Sequence, residues 1–129
     1  VELIRKNGIK WIATDEAILS ASLDISLRDG DGRVVRPDLL YVDYEINGIS
    51  ILFRDHGLSD LIGFVYSSWD PEKAARDFHD RLVRIHSESG GHAPAVVPVI
   101  LDGENAWEYY RNDGHDFLNA LYSLLHNDE

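Results

Sequence analysis

Val96-Val97-Pro98-Val99-Ile100-Leu101-Asp102-Gly103-Glu104-Asn105-Ala106-Trp107-Glu108-Tyr109-Tyr110 is the stretch on which the fold reading turns. Its first half is apolar, with four β-branched residues, and predicts a strand over 96–101 buried on both faces, as in parallel sheets. The run stops at Asp102, Glu104 follows two residues on, and then come Trp107, Tyr109 and Tyr110. Ligands of parallel α/β sheets sit off the carboxyl ends of the strands. Carboxylates at such an end, beside rings able to stack on a sugar face, suggest acid–base chemistry on a carbohydrate. The plainer reading makes Asp102-Gly103 a turn and Glu104 the opening of a solvated helix.

Working outward, the same pattern recurs upstream. Ile9 to Thr14 reads as a short strand ending in Asp15-Glu16, with a helix over 16–23. Residues 23–38 are polar and Gly-rich and read as a loop. Leu40–Ile46 and Ile49–Arg54 flank Asn47-Gly48, a two-residue hairpin signal because both positions accept positive φ. The second hairpin strand ends in Arg54-Asp55-His56, and a helix is expected from Gly57 to Tyr66. Asp70-Pro71 opens the longest helix, with Ala74, Phe78, Leu82 and Ile85 on one stripe. A last helix begins near Asp113-Gly114. Three strands each followed by a helix argue for α/β architecture with parallel units, so the strands at 9–14, 49–54 and 96–101 are expected to be parallel neighbours. All three end in ionisable residues, as on the active-site face of a barrel. Pro98 suits only an edge strand or a bulge, since it has no N–H to give to a ladder.

Composition narrows the function. With 23 acidic against 12 basic residues the net charge is −11, which repels phosphate backbones, so no nucleic-acid partner is expected. No apolar run is long enough to span a membrane, and no membrane partner is expected. Without cysteine there is no disulfide and no thiolate chemistry, which fits a reducing, cytoplasmic compartment. His79 and His86 lie seven apart on one helix, about 10 Å along its axis, too far to share a metal. No metal site or cofactor is expected, and both histidines read as part of a solvated face.

Leu101-Asp102-Gly103-Glu104-Asn105-Ala106-Trp107-Glu108 resembles the fourth conserved region of glycoside hydrolase family 57, which includes α-amylases, amylopullulanases, branching enzymes and 4-α-glucanotransferases. Phe53-Arg54-Asp55-His56-Gly57-Leu58-Ser59-Asp60-Leu61-Ile62-Gly63-Phe64 and Ile9-Lys10-Trp11-Ile12-Ala13-Thr14-Asp15-Glu16 are similar to its two preceding strand segments, in the family's order. The resemblance implies one segment, 1–129, forming the last part of an incomplete (β/α)7 barrel. It implies Asp102 as general acid/base of a retaining reaction on α-glucans, hydrolytic or transglycosylating. Glu104 would help keep a proton on Asp102 by like-charge repulsion, desolvation at the strand end adding to this. Trp107 would stack on a glucose ring, with Asp15, Arg54, Asp55 and His56 facing substrate. Competing readings are a core Trp107, an Arg54–Asp55 ion pair, Asp55 as a helix cap, and Asp15 as the cap of the helix after it. The family's Trp-Pro-Ser-Glu-Gly-like nucleophile region does not occur in the sequence, so the nucleophile is expected from a preceding part of the barrel, and the segment by itself is expected to be inactive and prone to self-association. The alternatives are a piece of a metal-dependent polysaccharide deacetylase-like barrel and a non-catalytic carbohydrate-binding or interaction module.

Overall fold

The computed structural model describes residues 2–89, 96–103 and 107–127. The chain divides into two compact units, residues 1–56 with 92–99 and residues 57–91 with 100–129.

In the first unit, helix α1 (Glu2–Lys6) ends at Asn7-Gly8, with Gly8 at φ 76°. Strand β1 (Trp11–Asp15) leads into α2 (Glu16–Leu23). Asp15 is extended and its carboxylate accepts the Ala17 N–H at 2.9 Å, so it caps α2. A one-turn helix, α3 (Pro37–Leu40), precedes the hairpin of β2 (Tyr44–Ile46) and β3 (Ile49–Arg54). Asn47 (φ 54°) and Gly48 (φ 77°) form its turn, as their residue types require. The sheet order is β1-β3-β2, with β1 parallel and β2 antiparallel to β3. Alternate residues of β3, Ile49, Ile51 and Phe53, are buried, and so are Leu19, Leu27, Leu40 and Tyr41 of this unit.

Three expectations need correcting here. The strand predicted over 40–46 is shorter, because Pro37 starts a helical turn that runs to Leu40. The loop over 23–38 is partly ordered: Arg28 and Val34 form an antiparallel bridge around the Asp29–Arg33 turn. Most consequentially, 96–101 is not a strand. The sheet is a small mixed one of three strands, so the parallel neighbours are two rather than three. Pro98 has no N–H; its carbonyl accepts the Asp55 N–H at 2.9 Å, one residue past the end of β3.

Helix α4 (His56–Asp60) starts on the last residue of the first unit's 1–56 segment; in the second unit it widens into a π turn (Leu61–Val65) and tightens into a 3-10 turn (Tyr66–Ser68). Helix α5 (Pro71–Glu88) is capped by Asp70, whose carboxylate accepts the Lys73 N–H at 3.1 Å. It packs against α6 (His115–Asn127). Leu58, Ile62, Tyr66, Ala74, Ala75, Phe78, Tyr110, Phe117 and Leu121 are the buried apolar residues. His86 is exposed as expected, but His79 is not on a solvated face: its side chain is only 13% exposed, beside Asp80.

Candidate active site

Parallel pairing of β1 with β3 sets Asp15 opposite Arg54 at the carboxyl ends of both strands. The Asp15 Oδ1 that caps α2 leaves Oδ2 to face Arg54 Nη1 at 3.3 Å and His56 Nδ1 at 3.4 Å. Arg54 Nη1 lies 2.9 Å from His56 Nδ1. His56 Nδ1 cannot accept from Arg54 and donate to Asp15 at once: the shorter Arg54 contact needs the ring proton on Nε2, and the Asp15 contact needs it on Nδ1. Burial alone would raise the Asp15 carboxyl, but the Ala17 N–H, His56 and Arg54 outweigh it and hold it below the ordinary carboxylate value. The His56 side chain is 57% exposed, so this rim of acid, guanidinium and imidazole is open to a ligand.

The two intervening acids turn inward. Asp55 is 1% exposed: Oδ1 accepts from Arg28 Nη2 at 2.8 Å and Oδ2 from the Tyr41 hydroxyl at 2.6 Å. Glu16, also buried, accepts from Arg28 Nε and Nη2 in a fork-to-fork pair, and its Oε2 takes the His56 N–H at 3.2 Å. Arg28 is raised above its ordinary value by the hydrogen bond to Glu16, against burial, with the Asp55 charge adding to it. Burial and the Asp55 charge push the Tyr41 hydroxyl well up. The expected Arg54–Asp55 pair is replaced by Arg54–Asp15 and Arg28–Asp55. Sequence reading missed Arg28 and Tyr41. Arg28 is one of three arginines in a Gly-rich loop that also holds four aspartates, and nothing in its local sequence sets it apart.

Asp102 belongs to the second unit. The chain reaching it is seated on one face of the helix that starts with α4. The Ile100 N–H donates to Ser59 Oγ at 3.2 Å, and the Leu101 side chain passes 3.7 Å from where a Cβ on Gly63 would stand. Ser59 and Gly63 are four apart, so they share a face, and Ser59 is fully buried. Ile100 and Leu101, just before Asp102, are therefore held against the 53–64 stretch at Ser59 and Gly63. Asp102 itself is exposed, as is Gly103. The expected desolvation at a strand end is not met, because the run leaves no ladder behind it to bury the carboxylate. Glu104 lies outside the described residues. Trp107 is half-buried; its ring lies 5.3 Å from that of Tyr110 and 6.3 Å from that of Phe117, with Gly114 against it. Much of Trp107 is thus engaged with the core of its unit.

Among the described residues no group of three or more His, Asp or Glu is arranged to hold a metal ion, and no helix is long and apolar enough to cross a membrane. The geometry offers an exposed carboxylate on an anchored turn and, in the other unit, an open rim of mixed donors and acceptors on a buried ionic base.

Comparison with curated proteins and with solved structures gives no match in either case. The family model described as Glycosyl hydrolase family 57 matches residues 1–129, the whole chain. The chain belongs to glycosyl hydrolase family 57, whose members act on glycans.

Proposed function

We propose that this chain carries the general acid/base of a retaining glycoside hydrolase or transglycosylase acting on α-glucans, with Asp102 as that group. The observation that carries the reading is Asp102 within Leu101-Asp102-Gly103-Glu104, exposed on a turn anchored by Ser59 and Gly63 in a chain that matches the family over its whole length. An exposed carboxylate is accessible to a glycosidic oxygen, whereas Glu16 and Asp55 are buried and already engaged. Asp102 donates its proton to the leaving oxygen as a nucleophilic carboxylate attacks the anomeric carbon. It then takes a proton from water or from an acceptor hydroxyl in the second step. The two carboxyl groups must lie about 5–5.5 Å apart for this. The nucleophile comes from a part of the barrel other than these 129 residues, and Glu104, two residues on in the sequence, serves as the electrostatic partner of Asp102. The rim of Asp15, Arg54 and His56 meets sugar hydroxyls: Arg54 and a ring N–H of His56 donate, and Asp15 accepts.

The test is Asp102→Asn in the intact protein. Loss of general acid/base catalysis is worth about 10²–10⁴-fold, so starch turnover falls by that order while the fold is kept. An aryl glycoside with a good leaving group suffers much less, and azide restores the second step by attacking the glycosyl-enzyme. Starch hydrolysis by the Asn variant at near wild-type rate would sink the assignment.

A further inference from the structure

Arg28 joins the two halves of the rim without being part of it. Its backbone is fixed by the bridge to Val34 and by Leu27, which is 3% exposed. The turn beyond it is closed by Asp29, whose Oδ1 accepts from both the Asp31 and Arg33 N–H groups at 3.0 and 2.9 Å. From this arm the guanidinium reaches in and uses its donors on three partners: both oxygens of Glu16, Oδ1 of Asp55 and the Gly32 carbonyl. Glu16 is the residue after Asp15, and Asp55 sits between Arg54 and His56. Glu16 also holds the His56 N–H. Every residue of the rim is therefore a chain neighbour of a carboxylate that Arg28 grips.

We infer that Arg28 is a positioning residue for sugar binding, holding Asp15, Arg54 and His56 in register through its bridge between Glu16 and Asp55. The inference rests on the reading of the rim as the sugar-hydroxyl site. The physical case is one of alternatives. Without the guanidinium, the buried carboxylates of Glu16 and Asp55 lose the cation they share, and one must move, protonate or take up water. Either carboxylate, in moving, shifts the backbone that sets the 2.9 Å contact between Arg54 and His56. Lysine does not substitute, because a point charge on a flexible stem does not span a bidentate carboxylate and a second acceptor at once.

The test is a double-mutant cycle in the intact enzyme with maltoheptaose as probe. Arg28→Met and His56→Ala are each expected to raise KM about tenfold with a much smaller change in kcat, since both lose ground-state binding. The Arg28→Met/His56→Ala double variant is expected to raise KM by clearly less than the product of the two single effects, because part of what Arg28 does runs through His56. If Arg28→Met lowers the melting temperature and leaves KM at the wild-type value, its role is structural only and the inference is overturned. A double variant whose KM rises by the product of the two single effects overturns it as well, since Arg28 would then act elsewhere. Should Arg28→Met not fold, Arg28→Lys replaces it, with a smaller KM rise expected and a wild-type KM overturning the inference. His56→Ala with unchanged KM removes the rim reading itself, whereas loss of rate in Asp102→Asn reports only on the acid/base assignment. The failure of each reading is thus distinguishable.

Discussion

Asp15 and Asp55 end adjacent parallel strands, yet their carboxylates do opposite jobs. Asp15 is a helix cap that also meets the half-buried Arg54 and the exposed His56, whereas Asp55 is buried under Arg28 and Tyr41. The sequence announces both as acids at strand ends, because an apolar run that stops on a charge marks the end of a strand. It does not announce which one is buried. That depends on Arg28, which reaches Asp55 from 27 residues upstream on an arm whose conformation comes from the Asp29 turn. The difference predicts unequal costs. Asp55→Ala leaves the Tyr41 hydroxyl and half of the Arg28 bridge without an acceptor inside the protein, and should destabilise by about 3 kcal/mol. Asp15→Ala loses a cap and a half-exposed ion pair, about 1 kcal/mol. Urea unfolding with the m-value held constant measures both, and equal midpoints for the two variants would contradict the buried role of Asp55.

At the scale of elements, the parts with strong local signals form where the sequence puts them. Asp70-Pro71 starts α5, Asn47-Gly48 turns the hairpin, and Asp15 starts α2. Each is decided by a few neighbouring residues, so each is legible without the rest of the chain. The run at 96–101 is decided by its partners. Its apolar, β-branched composition suits a central strand, but a ladder also needs donors at alternate positions, and Pro98 removes one. Its carbonyl at Pro98 and its N–H at Ile100 go instead to Asp55 and to the Ser59 hydroxyl. The turn before α6 is another element set by packing. Asn112, Asp113 and Gly114 are all left-handed, with Gly114 at φ 79° and a Cβ there standing 2.6 Å from Trp107 Cε3. Gly114→Ala combines a left-handed penalty with a clash against a ring wedged beside Tyr110 and Phe117. It should cost about 2–4 kcal/mol. The same change at Gly103, where a Cβ meets nothing within 4 Å, should cost far less by thermal unfolding. A tolerated Gly114→Ala would mean that Trp107 is not held in the core as the structure has it.

For the molecule as a whole, charge and buried hydroxyls act in the same direction at high pH. The chain carries −11 near neutrality, so every further ionisation adds self-repulsion to the folded state. Four tyrosines are also harder to ionise folded than unfolded, Tyr44 among them through partial burial. Burial, with Asp55 beside it, raises Tyr41; burial, with the hydrogen bond to Asp77, raises Tyr66; and burial pushes Tyr110 up to about 12 from the ordinary phenol value of about 10. A raised folded value means that the unfolded chain gives up the proton first. The stabilisation from Tyr110 is therefore whole below pH 10, falls between about 10 and 12, and is gone above that. Tyr41 and Tyr66 extend the decline further into alkali. Stability of the wild-type chain, followed by chemical denaturation, should thus be flat from pH 8 to 9.5 and fall steeply beyond. Tyr110→Phe separates the hydroxyl from the general repulsion. At pH 8 it should lose about 1 kcal/mol, the worth of the hydrogen bond that the Tyr110 hydroxyl donates to the Ile62 carbonyl. As pH rises past 10 the gap to wild type should close, because only the wild type has that proton to lose. A gap that stays constant to pH 12 would show that Tyr110 ionises equally in both states and that its burial does not carry the alkaline transition.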